Sequence, residues 1–259
     1  MKPAGNRSTA VMQRREATSD DRLGPRGFRT SLDYFPTPPW ATRAACEFLI
    51  EQLGECLQMQ TAWEPACGEG FMTRPLAEYF GHVVASDVQQ YSDHRLFDFT
   101  LPGMPAWAPP LWRPEWIFTN PPFQLAGEFV RLARQRARRG VVMFVRGAFT
   151  EGDERYRSLF RPEIAPAYVV TYVERVVLLR DRLIRDQALD PFNLDDEGRP
   201  RKASSATSYA IIIWLPGQHD TRHRWIPKCR RRLERDGDYP VYAEQWAKIA
   251  QQVQPGGLL

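Results

Sequence analysis

A group of hydrogen-bond acceptors follows one of the most apolar segments of the sequence. The run WIFT at residues 116–119 is followed by Asn120, Pro121, Pro122 and Phe123. Proline has no N–H and a fixed φ, so two in succession end a strand, stiffen the turn and leave carbonyl oxygens without a local donor. We expect the Asn120 side-chain oxygen and the Pro121 backbone oxygen to accept the two hydrogens of a planar amine, such as the exocyclic amine of adenine, with Phe123 stacked on the ring.

Such a pair of acceptors would activate the amine without a strong base. An aniline-like nitrogen is a poor nucleophile because its lone pair is delocalised into the ring. Two acceptors that pull its hydrogens out of the plane localise that lone pair and aim it at an electrophile, which is transition-state stabilisation by preorganised dipoles. The alternative interpretation of Asn120 and its neighbours is a plain Pro-Pro turn after a buried strand.

A glycine-containing loop and a later acid form a second group. The segment EPACGEG contains Gly68 and Gly70, and Asp87 ends the next apolar run. Glycine permits positive φ and close approach of the backbone to a ligand, and a carboxylate at a strand end can accept hydrogen bonds from a ribose diol. The loop is not G-x-G-x-x-G and no G-K-[ST] follows, which disfavours a pyrophosphate or triphosphate ligand. A tight strand-to-helix turn without a ligand is the alternative.

The elements that must position these groups alternate between strands and helices. Continuous apolar strands alternating with helices are typical of a parallel sheet covered on both faces, in which ligands bind beyond the carboxyl ends of the strands. The runs at 168–179 and 208–216 have no helical pattern between them and predict an antiparallel pair at the far edge of the sheet. The other predicted strands lie within 61–70, 81–88, 114–123 and 141–149, and the predicted helices within 37–57, 72–80, 126–140 and 242–253.

Taken together, these motifs resemble the class I S-adenosylmethionine-dependent amino methyltransferases, in particular the DNA adenine-N6 methyltransferases. EPACGEG looks like their cofactor loop, and NPPF is similar to their catalytic signature of Asp, Asn or Ser, two prolines and an aromatic residue. YFPTPPWAT at 34–42 looks like their F-x-T-P element, and FDF at 97–99 looks like a third cofactor element. The wider layout looks like that of small phage or prophage methyltransferases.

The resemblance implies a fold, a cofactor and a reaction. The fold is a Rossmann-like α/β class I methyltransferase with a mostly parallel seven-stranded sheet, an antiparallel last strand and helices on both faces. The cofactor is S-adenosylmethionine, and the expected acceptor is adenine N6 in DNA. Similar signatures occur in enzymes that methylate RNA adenine, RNA guanine or protein glutamine, so these acceptors stay open, as does a cofactor-binding module without catalysis.

The resemblance also implies the roles of individual residues. The target base is held by Asn120, Pro121, Pro122 and Phe123. The cofactor's amino acid is positioned by Phe35, Thr37 and Pro38, its methionine moiety by Glu64, Cys67, Gly68 and Gly70, its ribose and adenine by Asp87 and Val88, and its adenine amine by Asp98 with Phe99 packed nearby.

The charge balance permits a nucleic-acid partner. Lys and Arg total 35 against 31 Asp and Glu, and the formal net charge is +4. Affinity for nucleic acid comes largely from phosphate contacts, so the candidates are basic residues near the site, in the long polar loop at 180–207 and in the segment KCRRR at 228–232. They are Arg146, Arg180, Arg182, Arg185, Lys202, Arg230 and Arg231.

Composition predicts the domain organisation. Residues 1–30 are polar and Arg-rich and predict a disordered tail, with a transit peptide as the alternative; 31–217 form the methyltransferase domain, and 218–259 a basic helical extension. We expect a cytoplasmic protein without a membrane partner, because no apolar run is long enough to span a bilayer and no secretory h-region is present. The four cysteines form no C-x-x-C pair, and no Cys/His grouping has zinc spacing, so no metal is expected.

Overall fold

The computed structural model describes residues 33–253, so the predicted tail at 1–30 lies outside the described residues. The strands are β1 Thr61–Glu64, β2 His82–Asp87, β3 Arg95–Leu96, β4 Trp116–Thr119, β5 Gly140–Arg146, β6 Tyr168–Tyr172, β7 Leu189–Leu194, β8 Pro200–Lys202, β9 Tyr209–Trp214 and β10 Arg222–Ile226. The α-helices are α1 Pro39–Leu53, α2 Thr73–Leu76, α3 Ala126–Arg136, α4 Asp153–Arg155, α5 Arg230–Leu233 and α6 Ala243–Val253. The π-helical turn Tyr156–Phe160 continues α4, and 3₁₀ turns lie at Leu57–Met59 and Gly147–Thr150.

The main sheet has the order β10-β6-β9-β5-β4-β1-β2-β3. Its pairs are parallel except for those of β9, which runs antiparallel to both β5 and β6. This mostly parallel order with one antiparallel strand is a Rossmann-like α/β arrangement, and it confirms the predicted fold class. The antiparallel pair predicted from 168–179 and 208–216 is β6 with β9.

The sheet nevertheless differs in detail from the expectation. It has eight strands rather than seven, because β10 adds to the outer side of β6 in parallel. β9 is therefore an interior strand, and β10 forms the edge where the predicted pair was expected. β10 lies within the segment 218–259, which was expected to be helical, and α5 and α6 occupy only parts of that segment.

Helices cover both faces of the sheet. On one face, Trp40 and Phe48 of α1 pack in a buried cluster with Phe144 of β5, and on the other face Phe129 of α3 packs with Met143 of β5. Both faces of the central strands are thus dry, which explains their continuous apolar sequences. α1 begins with Pro39, whose missing N–H is not needed in a first turn, and ends at Gly54 with a φ of 69°.

The stretch at 180–207, predicted as a long loop, contains the antiparallel hairpin of β7 and β8. Ion pairs and aromatic packing hold the hairpin. Arg182 pairs with Asp190 at 2.8 Å, and the Phe192 and Tyr242 rings meet edge to face at 5.0 Å just before α6 begins. The backbone N–H of Asp181 donates to the Tyr34 carbonyl, which ties the start of this stretch to the segment that precedes α1.

Candidate functional site

A cavity of about 390 Å³ lies where β1, β2 and β4 end, and the segment before α1 closes part of it. Its volume is within the range of small-molecule sites. Among its lining residues are most of the predicted site residues: Phe35, Thr37, Glu64, Cys67, Asp87, Val88, Asp98, Phe99, Asn120 and Pro122. Pro38, Gly68, Gly70, Pro121 and Phe123 are their chain neighbours and do not themselves line the cavity.

The cavity lining is acidic. Within the part of the chain that the structure describes, it includes Asp33, Glu64, Asp87 and Asp98 but no lysine, arginine or histidine. Burial raises the pKa of Glu64 to about 8 and that of Asp87 to about 6. A cationic ligand would relieve this burial cost, whereas the phosphates of a dinucleotide would be repelled.

The glycine loop is held against Asp87. The Gly68 N–H donates to Asp87 Oδ2 at 2.9 Å, and the Gln89 N–H donates to Oδ1 at 3.0 Å. Gly68 has a φ of +52°, and a Cβ there would lie 2.4 Å from Cε2 of the Tyr34 ring. Glycine is therefore required both by the backbone conformation and by the close approach of Tyr34.

Tyr34 is a residue of the site that sequence reasoning missed. Its hydroxyl donates to Glu69 Oε1 at 3.1 Å, and its ring stacks on Tyr91 at 4.8 Å. Tyr34 thus clamps the glycine loop from the side of the segment before α1. Its position immediately before Phe35 in the F-x-T-P element was the one available signal.

Glu64 and Cys67 line the cavity at the end of β1. The Thr73 hydroxyl donates to Glu64 Oε2, and the carboxylate is buried. Cys67 is also buried, and burial raises the pKa of its thiol well above the ordinary value. Gly70 has a φ of +81°, so the backbone turns sharply into α2 at a position that disfavours other residues.

Asp98 offers an unused acceptor. Its Oδ1 accepts hydrogen bonds from the Thr100 N–H at 2.9 Å and the Thr100 hydroxyl at 2.7 Å. Its Oδ2 is buried and has no hydrogen-bond partner among residues 33–253. Asp98 lines the cavity, and a buried carboxylate oxygen without a partner indicates a missing donor, because an unsatisfied buried acceptor is costly.

A buried arginine supports the Asp98 loop. Arg136, at the end of α3, donates to the carbonyls of Phe99 and Leu101, both at 2.6 Å. Its guanidinium also lies 4.5 Å from the centroid of the Phe99 ring, and burial lowers its pKa to about 10. Sequence reasoning missed this residue because no motif distinguishes it from the other arginines of α3.

The Asn120 amide is oriented by its surroundings. Its Nδ2 donates to the Phe35 carbonyl at 2.8 Å and to Thr37 Oγ1 at 3.0 Å. Both amide hydrogens are thereby used, while Oδ1 is buried and has no partner among the described residues. Since Phe35 and Thr37 belong to the F-x-T-P element, that element leaves Asn120 Oδ1 as an acceptor for a ligand.

Phe123 lies between a ring and a cation. Phe35 packs against it with centroids 4.9 Å apart, and the Arg146 guanidinium lies 3.9 Å from its centroid. The positive charge of Arg146, the last residue of β5, also opposes the rise that burial causes in the pKa of Tyr209. A base that stacks on the Arg146 side of Phe123 would therefore have to displace the guanidinium.

Most of the other basic candidates are already paired. Arg180 pairs with Asp33 at 3.2 Å and Arg230 with Asp186 at 2.7 Å, while Arg185 pairs with Glu234. Arg182 pairs with Asp190, as described above. Within the described residues, neither Lys202 nor Arg231 forms an ion pair, and both are exposed. Two acids of the stretch at 180–207 and two acids outside it thus neutralise four of the six arginines that were expected to contact phosphates.

The described residues contain neither a helix that could cross a membrane nor a cluster of metal-binding side chains. No helix between residues 33 and 253 has the length and apolar character needed to cross a membrane. In the same range, no group of three or more His, Cys, Asp and Glu residues is arranged to hold a metal ion.

Comparisons with known proteins give structural similarity only. No protein-family model matches the chain, and no curated protein matches its sequence. A candidate RNA methyltransferase from Pyrococcus horikoshii has 12% identity and a TM-score of 0.48, with 82% of this chain and 98% of that one covered. The modification subunit of a candidate type I restriction enzyme from Vibrio vulnificus has 13% identity and a TM-score of 0.44, and the match covers 97% of this chain and 57% of that one. A predicted O-methyltransferase from Agrobacterium tumefaciens has 12% identity and a TM-score of 0.43, with coverages of 73% and 85%.

Proposed function

We propose that the protein is an S-adenosylmethionine-dependent methyltransferase that acts on an exocyclic amine, and that this amine is N6 of adenine in DNA. The observation that carries the proposal is the state of the Asn120 amide. Its two hydrogens are held by Phe35 and Thr37, and its Oδ1 is a buried acceptor without a partner among the described residues. An amine that donates to Oδ1 would supply the missing partner.

The residues of the cavity fit the proposed cofactor. S-adenosylmethionine, when bound, supplies an electrophilic methyl group on a cationic sulfonium centre. The acidic lining favours a cation, the unpartnered Asp98 Oδ2 suits an adenine amine, and the Asp87 carboxylate, with one backbone N–H on each oxygen, keeps lone pairs for a ribose diol. Glu64 is positioned to accept from an ammonium group, which would favour its ionised form.

The chain's contribution at the acceptor is orientation and charge stabilisation. In this proposal Asn120 Oδ1 accepts one hydrogen of the amine, and the neighbouring Pro121 carbonyl accepts the second. These acceptors direct the nitrogen lone pair toward the methyl donor, and they stabilise the positive charge that the nitrogen carries until its proton is lost to water. Asn120 need not act as a base, which agrees with the chemistry of an amide.

The target base must leave a duplex before it reaches this cavity. Base flipping costs a few kcal/mol and is least costly for an unpaired base. Phe123 supplies the stacking surface, and the Arg146 guanidinium now against it is free to move to a phosphate when a base takes its place. RNA bases and the glutamine side chain carry similar planar NH₂ groups, so they are distinguished by experiment.

The test is transfer of labelled methyl from S-adenosylmethionine to unmodified duplex DNA, single-stranded DNA, total RNA and a protein extract in parallel. We expect label in a DNA sample, and we expect Asn120→Ala to lose transfer while it retains cofactor affinity. Label only in RNA or protein would change the acceptor while the chemistry stands. No label in any sample, with cofactor bound, would overturn the proposal in favour of a binding module.

A further inference from the structure

The edge strand of the main sheet carries exposed aromatic residues. β10 pairs only with β6 among the described strands, and its side chains at 222–225 are exposed. Trp225 is 59% exposed, and its ring stacks on His223 with centroids 4.4 Å apart. The His223 ring is in turn hydrogen-bonded through Nε2 to Thr171 Oγ1 at 2.9 Å. His223 thus backs one side of the Trp225 ring and holds it in an orientation that presents the remaining surface to solvent.

The cations around Trp225 differ from those of the stretch at 180–207 because no carboxylate pairs with them. Arg222 donates to the Tyr168 hydroxyl at 3.4 Å, and Arg224 donates to the His223 carbonyl at 3.0 Å. Both partners are neutral, so both positive charges stay uncompensated. Lys228 and Arg231 likewise form no ion pair within residues 33–253. We call Arg222, His223, Arg224, Trp225, Lys228 and Arg231 the edge platform.

Two acids near the edge platform are engaged elsewhere, whereas Glu51 of α1 is exposed, forms no ion pair within residues 33–253 and lines the same pocket as Arg224 and Trp225. Glu47 of α1 pairs with Arg232. The Glu174 carboxylate accepts the backbone N–H groups of Cys229 and Arg230, both at 2.7 Å. Along this open sheet edge Arg222 and Arg224 alternate with His223 and Trp225, so the uncompensated cations and the exposed aromatic pair project from its two sides. An exposed indole with uncompensated cations at the same strand suits an unpaired base and its phosphates.

The platform and the candidate site share one edge of the sheet. β10, β6, β5 and β4 all run in the same direction, so the carboxyl end of β10, where Trp225 lies, faces the same way as the end of β4 that precedes Asn120. Four strand spacings separate β10 from β4, which is roughly 19 Å. That span corresponds to roughly six stacked nucleotides at 3.4 Å each.

We infer that the edge platform binds an unpaired segment of the nucleic-acid strand that carries the target base, with one base stacked on Trp225 and phosphates on the surrounding cations. This inference deepens the proposed function, because it rests on a nucleic-acid substrate and specifies its strandedness. A duplex would offer phosphates to the arginines but no free base to the indole, so the tryptophan favours single-stranded substrate.

The test is fluorescence anisotropy of labelled oligonucleotides without cofactor. The probes are a single-stranded oligodeoxynucleotide of mixed sequence, its duplex and the single-stranded RNA of the same sequence. The variants are Trp225→Ala, Trp225→Phe and the double change Arg224→Gln with Lys228→Gln. The matched controls are Trp246→Ala, an exposed tryptophan on α6, and Lys248→Gln on the same helix.

We expect Trp225→Ala to weaken single-strand binding roughly tenfold, Trp225→Phe to retain most of it, and both to leave duplex binding nearly unchanged. The double glutamine variant should lower the slope of log K against log salt by roughly 1.4, since each lost phosphate contact on a single strand contributes roughly 0.7. A larger loss on the DNA probe than on the RNA probe, or the reverse, identifies which strand the platform prefers.

Unchanged single-strand affinity in Trp225→Ala, or an equal loss in Trp246→Ala, would overturn the platform. So would sedimentation showing that Trp225→Ala converts a dimer into a monomer while affinity is unchanged, because the surface would then join two copies of the chain. Thermal unfolding of each variant checks that it is folded. Methyl transfer measured on the same samples separates the two proposals: binding that depends on Trp225 without any transfer contradicts the proposed reaction alone.

Discussion

The substitution Asn120→Asp tests whether the F-x-T-P element orients the Asn120 amide, for which we propose a catalytic role. The two residues have the same shape, so only the group that faces Phe35 and Thr37 changes. In the native protein, Nδ2 donates to the Phe35 carbonyl at 2.8 Å and to Thr37 Oγ1 at 3.0 Å. In the variant an oxygen takes that place, and the Phe35 carbonyl cannot donate to it.

The size of the effect follows from these two contacts. The Thr37 hydroxyl can rotate to donate to the carboxylate, but the Phe35 carbonyl loses its donor and faces a negative oxygen at close range. Leaving a buried acceptor unsatisfied costs about 1–3 kcal/mol. If that loss appears in the transition state, the rate falls roughly 5- to 150-fold at a pH where the new carboxylate is ionised.

The pH dependence has a definite sign. The carbonyl of Phe35 disfavours the ionised form and raises the pKa of the introduced carboxyl group. Once protonated, that group can donate to Phe35 again and restore the native arrangement. The variant should therefore regain activity relative to the native enzyme as pH falls.

The assay is the pH profile of kcat and kcat/KM for methyl transfer, with Asn193→Asp as the control because Asn193 is an exposed asparagine in β7. Cofactor affinity and thermal unfolding establish that the variant is folded. An extra negative charge would also stabilise the cationic nitrogen of the transition state and offset part of the loss at high pH, so the change of the rate with pH is the deciding readout. A variant whose rate relative to the native protein does not rise as pH falls would refute the orientation by Phe35 and Thr37.

Three further substitutions follow from the cavity. Glu64→Gln should stabilise the ligand-free protein at pH 8 by roughly 2–5 kcal/mol and much less at pH 4. Because the pKa of Glu64 is raised to about 8 in the folded protein, the native carboxyl group destabilises the fold increasingly as pH rises from about 4.5 to 8, and glutamine removes that loss. Thermal melts at both pH values measure the difference, and an unchanged melt at pH 8 would contradict the prediction. Gly68→Ala should weaken cofactor binding in calorimetry by about tenfold or more, because the new Cβ would lie 2.4 Å from the Tyr34 ring and the backbone φ of +52° disfavours alanine. The double variant with Tyr34→Ala should recover part of the lost affinity. Asp98→Asn should lower cofactor affinity about tenfold in the same calorimetric measurement. An asparagine has one acceptor oxygen, and if that oxygen accepts from Thr100, the NH₂ group takes the place of Oδ2 and meets the adenine amine donor to donor. Native affinity would argue against that contact.

The central sheet was predictable because its strands are continuous apolar runs that end in unusual residues. Asp87 and Asn120 both follow such runs, and parallel strands bring their carboxyl ends to one edge, so the cavity could be anticipated from chain order alone. The edge strand β10 could not be predicted in this way. Its sequence RHRWI has no apolar alternation, because an edge strand with solvent on its outer side buries little, and only Ile226 of the five residues is buried.

The ion pairs and the contact of Tyr34 with the glycine loop could not be predicted from local sequence patterns. Arg185 and Arg230 appeared available for phosphates, yet their acidic partners are 49 and 44 positions away in the chain and are brought close only by folding. Tyr34 touches Gly68 across a similar separation. The spacing rules that predict helices and strands contain no information on such contacts.

The measurement that tests the central claim most directly is the identity of the methylated product. Single-stranded and duplex DNA free of modification are incubated with labelled S-adenosylmethionine, digested to nucleosides and separated by chromatography. The arrangement of Asn120 and Pro121 predicts label that elutes as N6-methyladenine and disappears with Asn120→Ala. Label in another nucleoside at a ring carbon or an oxygen, or N6-methyladenine formed equally well by Asn120→Ala, would contradict the account.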